Sequence, residues 1–347
     1  MNAMSLFRTF LAAATALMVV VPAAAQSPVS IPGTETYQMR STTNGVEYRI
    51  DVALPAGYAT SGKRYPAFYI LDSNLAFSIA TMTYRASRLE GSVPEIIIVG
   101  IGYPGDDPAP YAPGYHASRS RDYTPTAVES SLPGSGGAGP FLQYIKGELI
   151  PMIDARYRTD PADRGLGGHS LGGLFTTYAL LNDPAIFTRY WIGSPSLWWD
   201  KEKIQASVPA ARTRADATKG RALLTVGALE GPIMVPPMQR MTAALKVGFP
   251  GLTIGSVIYP DETHVSVMGA AISRAFRFLY ARAGKLMVTM SLLGNPPSTE
   301  EYVAESRDHL HGKVMPIDLT AERDAAGKVV RIRRAVIGGD AVFERVR

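Results

Sequence analysis

The sequence predicts an α/β protein whose central sheet is mostly parallel and is covered by helices on both faces. Strand-like and helix-like segments alternate along residues 35–283, an order typical of parallel strands joined by helices. A continuous apolar run at residues 65–71 has the composition of a central strand that is buried on both sides, and residues 95–101 contain the most strand-like segment, IIIVGI. Between residues 164 and 181 a short strand, a serine-containing turn and a helix follow one another.

An antiparallel hairpin is expected to begin the sheet. Residues 35–41 and 46–54 flank Asn44-Gly45, a strong signal for a tight turn between paired strands. The segment 141–157 is expected to be a helix interrupted by Pro151. The alternating pattern further predicts strands at residues 65–71, 95–101, 190–193, 221–226 and 253–259 and helices at residues 75–89, 171–181, 237–246 and 265–283.

The first 25 residues have the pattern of a secretory signal peptide. Arg8 precedes an apolar run at residues 10–21, and three alanines at residues 23–25 form a small-residue cleavage site. The apolar run is too short to span a membrane. We expect cleavage near Ala25 and export to the periplasm or the outside of the cell.

The composition excludes several kinds of site. The 347 residues contain no cysteine, so the chain has no disulfide, no thiol nucleophile and no thiolate metal site. The formal net charge is +5, and no run of Lys and Arg of the nucleic-acid-binding type occurs. We expect no metal, no cofactor, no nucleic-acid partner and no membrane span, while the oligomeric state stays open.

Residues 102–140 lack any periodicity and are rich in Gly, Pro, Ser and Tyr. A loop of this length is usually functional or disordered, and this one follows a strand's carboxyl end, where open α/β sheets bind ligands. We interpret it as a substrate-covering loop, with an unstructured insertion as the alternative. The candidate ligand contacts, all cationic or aromatic side chains, are Arg119, Arg121 and Tyr123 in this loop and Trp198 from the adjacent pair Trp198-Trp199.

The alternating pattern ends near residue 284, so we expect a catalytic domain at residues 26–284 and a small C-terminal extension at residues 285–347. Within the extension a short polar helix is expected near residues 299–309. Two strand-like runs follow, at residues 317–323 and 329–337. The sequence assigns no chemistry to this extension.

The segment Gly168-His169-Ser170-Leu171-Gly172 fits the G-x-S-x-G pattern of a nucleophile elbow. In this turn a strand folds sharply against a helix and leaves the serine hydroxyl exposed. Glycines two residues before and after the serine avoid a collision of Cβ atoms between the strand and the helix. Ser170 is therefore the candidate nucleophile.

A serine hydroxyl reacts well only when a base takes its proton and an acid orients that base. His264 directly follows the last predicted strand, and its place fits the chain order serine, acid, histidine. His169 is expected to be turned away by the elbow. Glu230, which ends a predicted strand, is the first candidate for the acid; Asp200 is its rival, and a serine–histidine dyad without an acid is the third alternative.

The oxyanion that forms during acyl transfer needs fixed N–H donors. One is expected to be the backbone amide of Leu171, directly after the nucleophile. The second is expected in the loop after residues 65–71, at Asn74 or Ser73. A non-catalytic binding protein that kept the same fold is the alternative from a different functional class.

These residues resemble the putative esterase (esterase D) family of α/β-hydrolases, and in particular its periplasmic enterobactin (enterochelin) esterase-like branch, over about residues 35–283. The similar blocks are Tyr65-Pro66 to Leu71-Asp72, Arg121-Asp122-Tyr123-Thr124-Pro125, Glu148-Leu149-Ile150-Pro151 with Tyr157, Gly168 to Phe175, Ser194-Pro195-Ser196-Leu197-Trp198-Trp199, and Glu262-Thr263-His264.

The resemblance implies an α/β-hydrolase fold, with Ser170 as nucleophile, His264 as base and Glu230 in the acid position. The chain departs from the family at Ser73, where relatives usually have glycine. The resemblance also implies a small-molecule ester substrate, first of all the lactone of a siderophore, including its ferric complex. Feruloyl or acetyl esters of polysaccharides are the alternative.

Overall fold

The computed structural model describes residues 30–89, 93–105, 113–128, 130, 133–212, 218–281, 285–290, 298–304, 309–312, 318–323, 329–336 and 339–344. The signal peptide predicted at residues 1–25 lies outside these ranges, as do parts of the loop at residues 102–140 and of the C-terminal extension. In the described part of the chain, no helix is both long and apolar enough to cross a bilayer.

An eight-stranded sheet forms the centre of the fold. Its spatial order is β1-β2-β4-β3-β5-β6-β7-β8; β1 pairs antiparallel with β2 and β2 with β4, whereas β3 to β8 are parallel. This arrangement confirms the predicted mostly parallel sheet with an N-terminal hairpin. The strands are β1 (Thr34–Arg40), β2 (Glu47–Ala53), β3 (Tyr65–Leu71), β4 (Ile97–Gly102), β5 (Thr159–His169), β6 (Arg189–Gly193), β7 (Gly220–Gly227) and β8 (Leu252–Tyr259).

Helices cover both faces of the sheet. Strand β3 shows why: Phe68 and Ile70 point into one apolar core, while Tyr69 and Leu71 belong to the other. Helices α1 (Ser73–Leu89) and α9 (Val267–Leu279) contribute to the first core. The second core receives side chains from α2 (Pro113–Tyr123), α3 (Ala138–Tyr144), α4 (Ile150–Arg156), α5 (Leu171–Asn182), α6 (Trp199–Glu202), α7 (Val208–Ala211) and α8 (Val235–Gly248).

Helix α2 lies inside the segment that was predicted to lack regular structure. Its apolar side chains have no clear helical spacing, so the sequence pattern did not indicate it; contacts with the rest of the fold hold it instead. Arg119 forms a bidentate ion pair with the buried carboxylate of Asp72, at 2.7 and 3.0 Å, and the Tyr115 hydroxyl donates to the same carboxylate at 2.9 Å. The buried Asp122 accepts hydrogen bonds from the hydroxyls of Tyr48 and Tyr103, each at 3.0 Å.

The segment predicted as an interrupted helix at residues 141–157 is helical without a break as far as Arg156. Helix α3 leads into a π-helical turn at Ile145–Leu149, and α4 continues from there through Pro151. Proline has no N–H to donate, so a local change of hydrogen-bond pattern lets the chain remain helical around it.

Strand β5 is longer than predicted, because it begins at Thr159 rather than near residue 164. Its pairing with β3 moves from Tyr65 opposite Thr159 to Ala67 opposite Arg164, so the intervening residues of β5 bulge out of register. The strand then ends at the serine turn.

Ser170 occupies the sharp turn between β5 and α5, with φ 62° and ψ −121°. A Cβ on Gly168 would lie 2.4 Å from the carbonyl oxygen of Gly172, as the elbow pattern requires. A Cβ on Gly172 would lie 3.3 Å from Oδ2 of Asp72, a looser contact that involves a neighbouring loop rather than the strand. The strand, turn and helix thus occur in the predicted order.

The C-terminal extension contains a second, six-stranded antiparallel sheet, with the order β14-β13-β12-β11-β10-β9. The helix predicted at residues 299–309 is wrong. That segment contains a strand, which pairs antiparallel with the strands directly before and after it in the chain. Pairing on both edges outweighs the polar composition on which the helix prediction rested. The strands are β9 (Lys285–Met290), β10 (Ser298–Ala304), β11 (His309–Gly312), β12 (Asp318–Arg323), β13 (Val329–Val336) and β14 (Gly339–Glu344).

Replacing Gly168 with alanine should destabilise the fold, because the new methyl group would meet backbone atoms that cannot move aside. We expect Gly168→Ala to lower the free energy of unfolding by about 2 kcal/mol, the usual cost of overpacking. Urea unfolding measures this loss. The matched control is Gly269→Ala in α9, where a Cβ meets nothing within 4 Å and alanine favours the helix. Equal stabilities of the two variants would contradict the steric interpretation.

Removing the Arg119 side chain should also destabilise the fold, because the carboxylate of Asp72, with only 6% of its side chain exposed, would lose its cation. We expect Arg119→Met to lower the free energy of unfolding by about 3 kcal/mol. Lys146→Met is the control, since it breaks an exposed ion pair with Asp183 that is worth less than about 1 kcal/mol. Similar losses of unfolding free energy in both variants would show that the buried ion pair of Asp72 stabilises the fold no more than an exposed pair does.

Candidate active site

Three side chains from separate strand ends form one hydrogen-bonded chain. The Oγ of Ser170 lies 2.9 Å from Nε2 of His264, and Nδ1 of the same ring lies 2.5 Å from Oε2 of Glu230. Ser170 follows β5, Glu230 lies in the 3₁₀ turn after β7, and His264 follows β8. Because the carboxyl ends of parallel strands meet at one edge of a sheet, these distant residues converge there.

Both carboxylate oxygens of the buried Glu230 take part in hydrogen bonds. Its side chain is only 1% exposed, while that of His264 is 40% exposed. Oε1 accepts hydrogen bonds from the Ser194 hydroxyl at 2.6 Å and the Gly227 N–H at 2.7 Å. Burial by itself raises the pKa of Glu230, but the hydrogen bonds from His264, Ser194 and Gly227 outweigh it and bring the pKa below its usual value. The group is therefore ionised at neutral pH.

The structure does not place Asp200 in this chain of hydrogen bonds. Its carboxylate lies 3.5 Å from the ammonium group of Lys203, and a hydrogen bond with Thr126 lowers its pKa. Of the two carboxylates that the sequence offered, the histidine is bonded to Glu230.

His169 is close to the site, contrary to the expectation that the elbow turns it away. Its ring centroid lies 4.6 Å from that of His264, and neither of its ring nitrogens has a hydrogen-bond partner among the described residues. Burial, together with the neighbouring His264, lowers the pKa of His169 to about 3. The ring is therefore neutral and offers His264 an uncharged neighbour.

The loop after β3, which was predicted to supply the second oxyanion amide, lies beside the elbow. Arg119 connects the two, because its guanidinium binds Asp72 and also approaches the carbonyl oxygen of His169 at 3.5 Å. The N–H of Asp72 is taken, since it donates to the Tyr123 hydroxyl at 3.2 Å. Helix α1 begins at Ser73, and the first amides of a helix have no acceptor within it.

The side chains of Ser73 and Asn74 have other partners. The Ser73 hydroxyl donates to Asp51 at 2.5 Å, in space left free by Gly100, where a Cβ would lie 2.2 Å from that hydroxyl oxygen. The side-chain oxygen of Asn74 accepts the Tyr103 N–H at 2.9 Å, and its amide donates to the Tyr103 carbonyl at 3.1 Å. Any oxyanion contact from this loop would therefore come from backbone amides, such as that of Asn74, alongside the amide of Leu171 at the start of α5.

Two of the predicted ligand contacts, Tyr123 and Arg121, differ in their exposure to solvent. The prediction that Tyr123 contacts a ligand is wrong. Its side chain is fully buried among Phe141 and Phe175, and its hydroxyl accepts a hydrogen bond from the N–H of Asp72 in the loop after β3. Tyr123 is therefore a core residue. Arg121 is partly exposed but is bound to Asp122 by two hydrogen bonds of 2.8 Å.

The adjacent tryptophans face different surroundings. Trp199 is buried, and its indole N–H donates to the carbonyl and hydroxyl oxygens of Thr126 at 3.2 and 3.1 Å. Trp198 is 39% exposed and remains available to a ligand.

Two serines near the site were not identified from the sequence. The Ser194 hydroxyl bonds to Glu230, and the Ser196 hydroxyl lies 3.4 Å from that of Ser170. Both belong to the block that follows β6, which carries part of the family resemblance and the candidate Trp198 but gave neither serine a role. Among the described residues, no group of three or more His, Cys, Asp or Glu side chains is arranged to hold a metal ion.

Comparison with known proteins gives one consistent family. The family model described as Putative esterase matches residues 41–242. The chain is 33% identical over 270 residues to the ferri-bacillibactin esterase BesA of Bacillus subtilis, a match that covers 72% of this chain and 90% of the relative. It is 28% identical over 289 residues to the siderophore triacetylfusarinine C esterase of Aspergillus fumigatus, covering 73% of this chain and 95% of the relative.

Solved structures agree with this result. The crystal structure of the BES protein from Bacillus cereus, at 29% identity, superposes with a TM-score of 0.68 and covers 74% of this chain and 98% of that one. From its sequence and its fold, the chain belongs to the Putative esterase family and has the α/β-hydrolase fold.

Proposed function

We propose that the chain is an exported serine esterase that hydrolyses carboxylic ester bonds through an acyl-enzyme. The hydrogen-bonded chain from Ser170 through His264 to the buried Glu230 is the observation that carries the proposal. This arrangement activates a hydroxyl, because the base accepts its proton while the carboxylate fixes the ring and stabilises its charged form. Export rests on the signal-peptide pattern at residues 1–25.

The reaction proceeds in two halves. Ser170 Oγ attacks the ester carbonyl carbon while His264 Nε2 takes the hydroxyl proton, and the same proton then passes to the departing alkoxide. A water molecule next attacks the acyl-serine, giving a proton to His264, which returns it to Ser170 as the acid leaves. In both halves the oxyanion accepts hydrogen bonds from the amides of Leu171 and Asn74, and Glu230 stays ionised beside the imidazolium.

We further propose that the substrate is a siderophore ester, such as the lactone of an enterobactin-type catecholate. Two relatives are named as esterases of the siderophores bacillibactin and triacetylfusarinine C. Exposed apolar side chains adjoin the reacting residues in the chain: Leu229 precedes Glu230 and Val265 follows His264. Together with the exposed Trp198 they offer apolar surface to an aromatic ligand.

Ser170→Ala should abolish hydrolysis of a short-chain nitrophenyl ester, because the acyl-enzyme cannot form. We expect a loss of at least about a thousandfold in kcat, the usual weight of a nucleophile in a triad. Ser196→Ala is the matched control, since its hydroxyl lies near that of Ser170 but is not bonded to His264; it should lose less than about tenfold. An active Ser170→Ala enzyme would overturn the mechanism.

Glu230→Ala should lower kcat by more than about tenfold, because the ring of His264 would lose its anchor and its charge partner. Asp200→Ala is the control, because that carboxylate faces Lys203 rather than the ring, and it should change kcat by less than about twofold. Steady-state kinetics on the same nitrophenyl ester measures both. Losses below tenfold in both variants would indicate a serine–histidine dyad.

The protein without residues 1–25 should open the lactone of ferric enterobactin, and mass spectrometry should detect products that have gained water. Trp198→Ala should raise KM for this substrate more than for the small nitrophenyl ester, because only the larger ligand can reach the exposed ring. Leu89→Ala, at an exposed apolar position in α1, is the control. Cleavage of a feruloylated sugar with no cleavage of the siderophore would point to the polysaccharide esterase instead.

A further inference from the structure

Ser194 has an unusual position for a serine. It is fully buried directly after β6, and its φ of 35° lies in the left-handed region that glycine tolerates best. Its N–H donates to the carbonyl of Thr225 at 2.7 Å, which fixes the backbone there. Its hydroxyl donates to Oε1 of Glu230 at 2.6 Å. A residue that keeps this backbone conformation in a buried place, with its hydroxyl bonded to Glu230, indicates that the hydrogen bond has a role.

The contact settles the direction in which Glu230 faces. Ser194 and the Gly227 N–H occupy Oε1, so Oε2 is left for His264. With the carboxylate 1% exposed, bulk water cannot replace the hydroxyl from outside. Without Ser194 the carboxylate would retain one donor on Oε1 and would gain freedom to rotate about its last bond.

The same turn also holds the nucleophile. The Ser170 N–H donates to the carbonyl of Gly193 at 2.9 Å, and the Ser196 N–H donates to the Ser170 carbonyl at 3.1 Å. Residues 193–196 therefore bind the backbone of the first member of the hydrogen-bonded chain and the side chain of its last member. A single short segment sets the distance that His264 has to bridge.

We propose that Ser194 is a positioning residue that acts through Glu230: its hydroxyl holds the carboxylate in the orientation in which it binds His264. The inference rests on the proposed serine esterase function. Ser194 does not touch the ester, so its effect should appear in kcat rather than in substrate binding.

Ser194→Ala should lower kcat on a nitrophenyl ester about tenfold and change KM less than about twofold, because one charged hydrogen bond is lost and the substrate contacts stay. Ser194→Gly should lose activity to the same extent, yet be at least as stable to urea as the parent protein, because glycine accepts the positive φ. In a Glu230→Ala background, Ser194→Ala should lower kcat by less than about twofold.

The pH profile supplies an independent readout. The Ser194 hydrogen bond lowers the pKa of Glu230, so its loss makes the carboxylate more basic. His264 and His169 also interact electrostatically with this group. Because Glu230 is the charge partner of the His264 ring, a more basic carboxylate should become protonated at higher pH, and the acid limb of kcat/KM should move to higher pH in both Ser194 variants.

Three results would overturn the inference. The first is an unchanged kcat in Ser194→Ala, and the second is a loss of kcat from Ser194→Ala that is as large in the Glu230→Ala background as in the parent protein. The third is full activity in Ser194→Gly, which would assign the residue a backbone role alone. When Glu230→Ala is too slow to compare, the glycine variant and the pH profile decide. An active Ser170→Ala enzyme would instead overturn the proposed function. An inactive Ser170→Ala enzyme with unaffected Ser194 variants would overturn only the positioning role.

Discussion

The site depends on a steric constraint at the elbow, where β5 and α5 meet with no side chain between Gly168 and Gly172. That close approach forces Ser170 into a positive φ, a conformation that costs a non-glycine residue about 1–3 kcal/mol. Hydrogen bonds on both sides of the peptide hold it there, from its N–H to Gly193 and to its carbonyl from Leu174. The strain projects the hydroxyl out of the turn and towards His264, so the geometry of the whole site follows from the turn.

Buried carboxylates around this turn provide the second layer of order. Glu230, Asp72 and Asp122 are almost inaccessible to water, and an unpaired charge in such a place would be very unfavourable. Glu230 binds an imidazole ring, a hydroxyl and a backbone amide. Asp72 and Asp122 each bind an arginine and one or more tyrosine hydroxyls. The bonds to Asp72 and Asp122 join α2 to the loop after β3, to Tyr48 in β2 and to Tyr103 after β4.

Local signals in the sequence located much of this arrangement. The elbow pattern and the ends of predicted strands pointed to Ser170, Glu230 and His264, because parallel strands bring their carboxyl ends together whatever their separation in the chain. Tyr123 was misjudged because an aromatic residue in a loop looks the same whether it meets a ligand or the core. Ser194 was missed since its left-handed backbone has no signature in sequence. The strand at Ser298–Ala304 was missed since its polar composition does not show that neighbouring strands pair with both of its edges.

Helix α2 limits which parts of its segment can be exchanged without disturbing the reaction centre. The segment that contains it was expected to choose the ligand, yet its Tyr115 and Arg119 hold Asp72, next to the loop from which an oxyanion amide would come. A loop exchange that removed Tyr115 or Arg119 would also remove the support of Asp72. Exchanges that keep both side chains therefore have the best prospect of leaving the reaction centre intact.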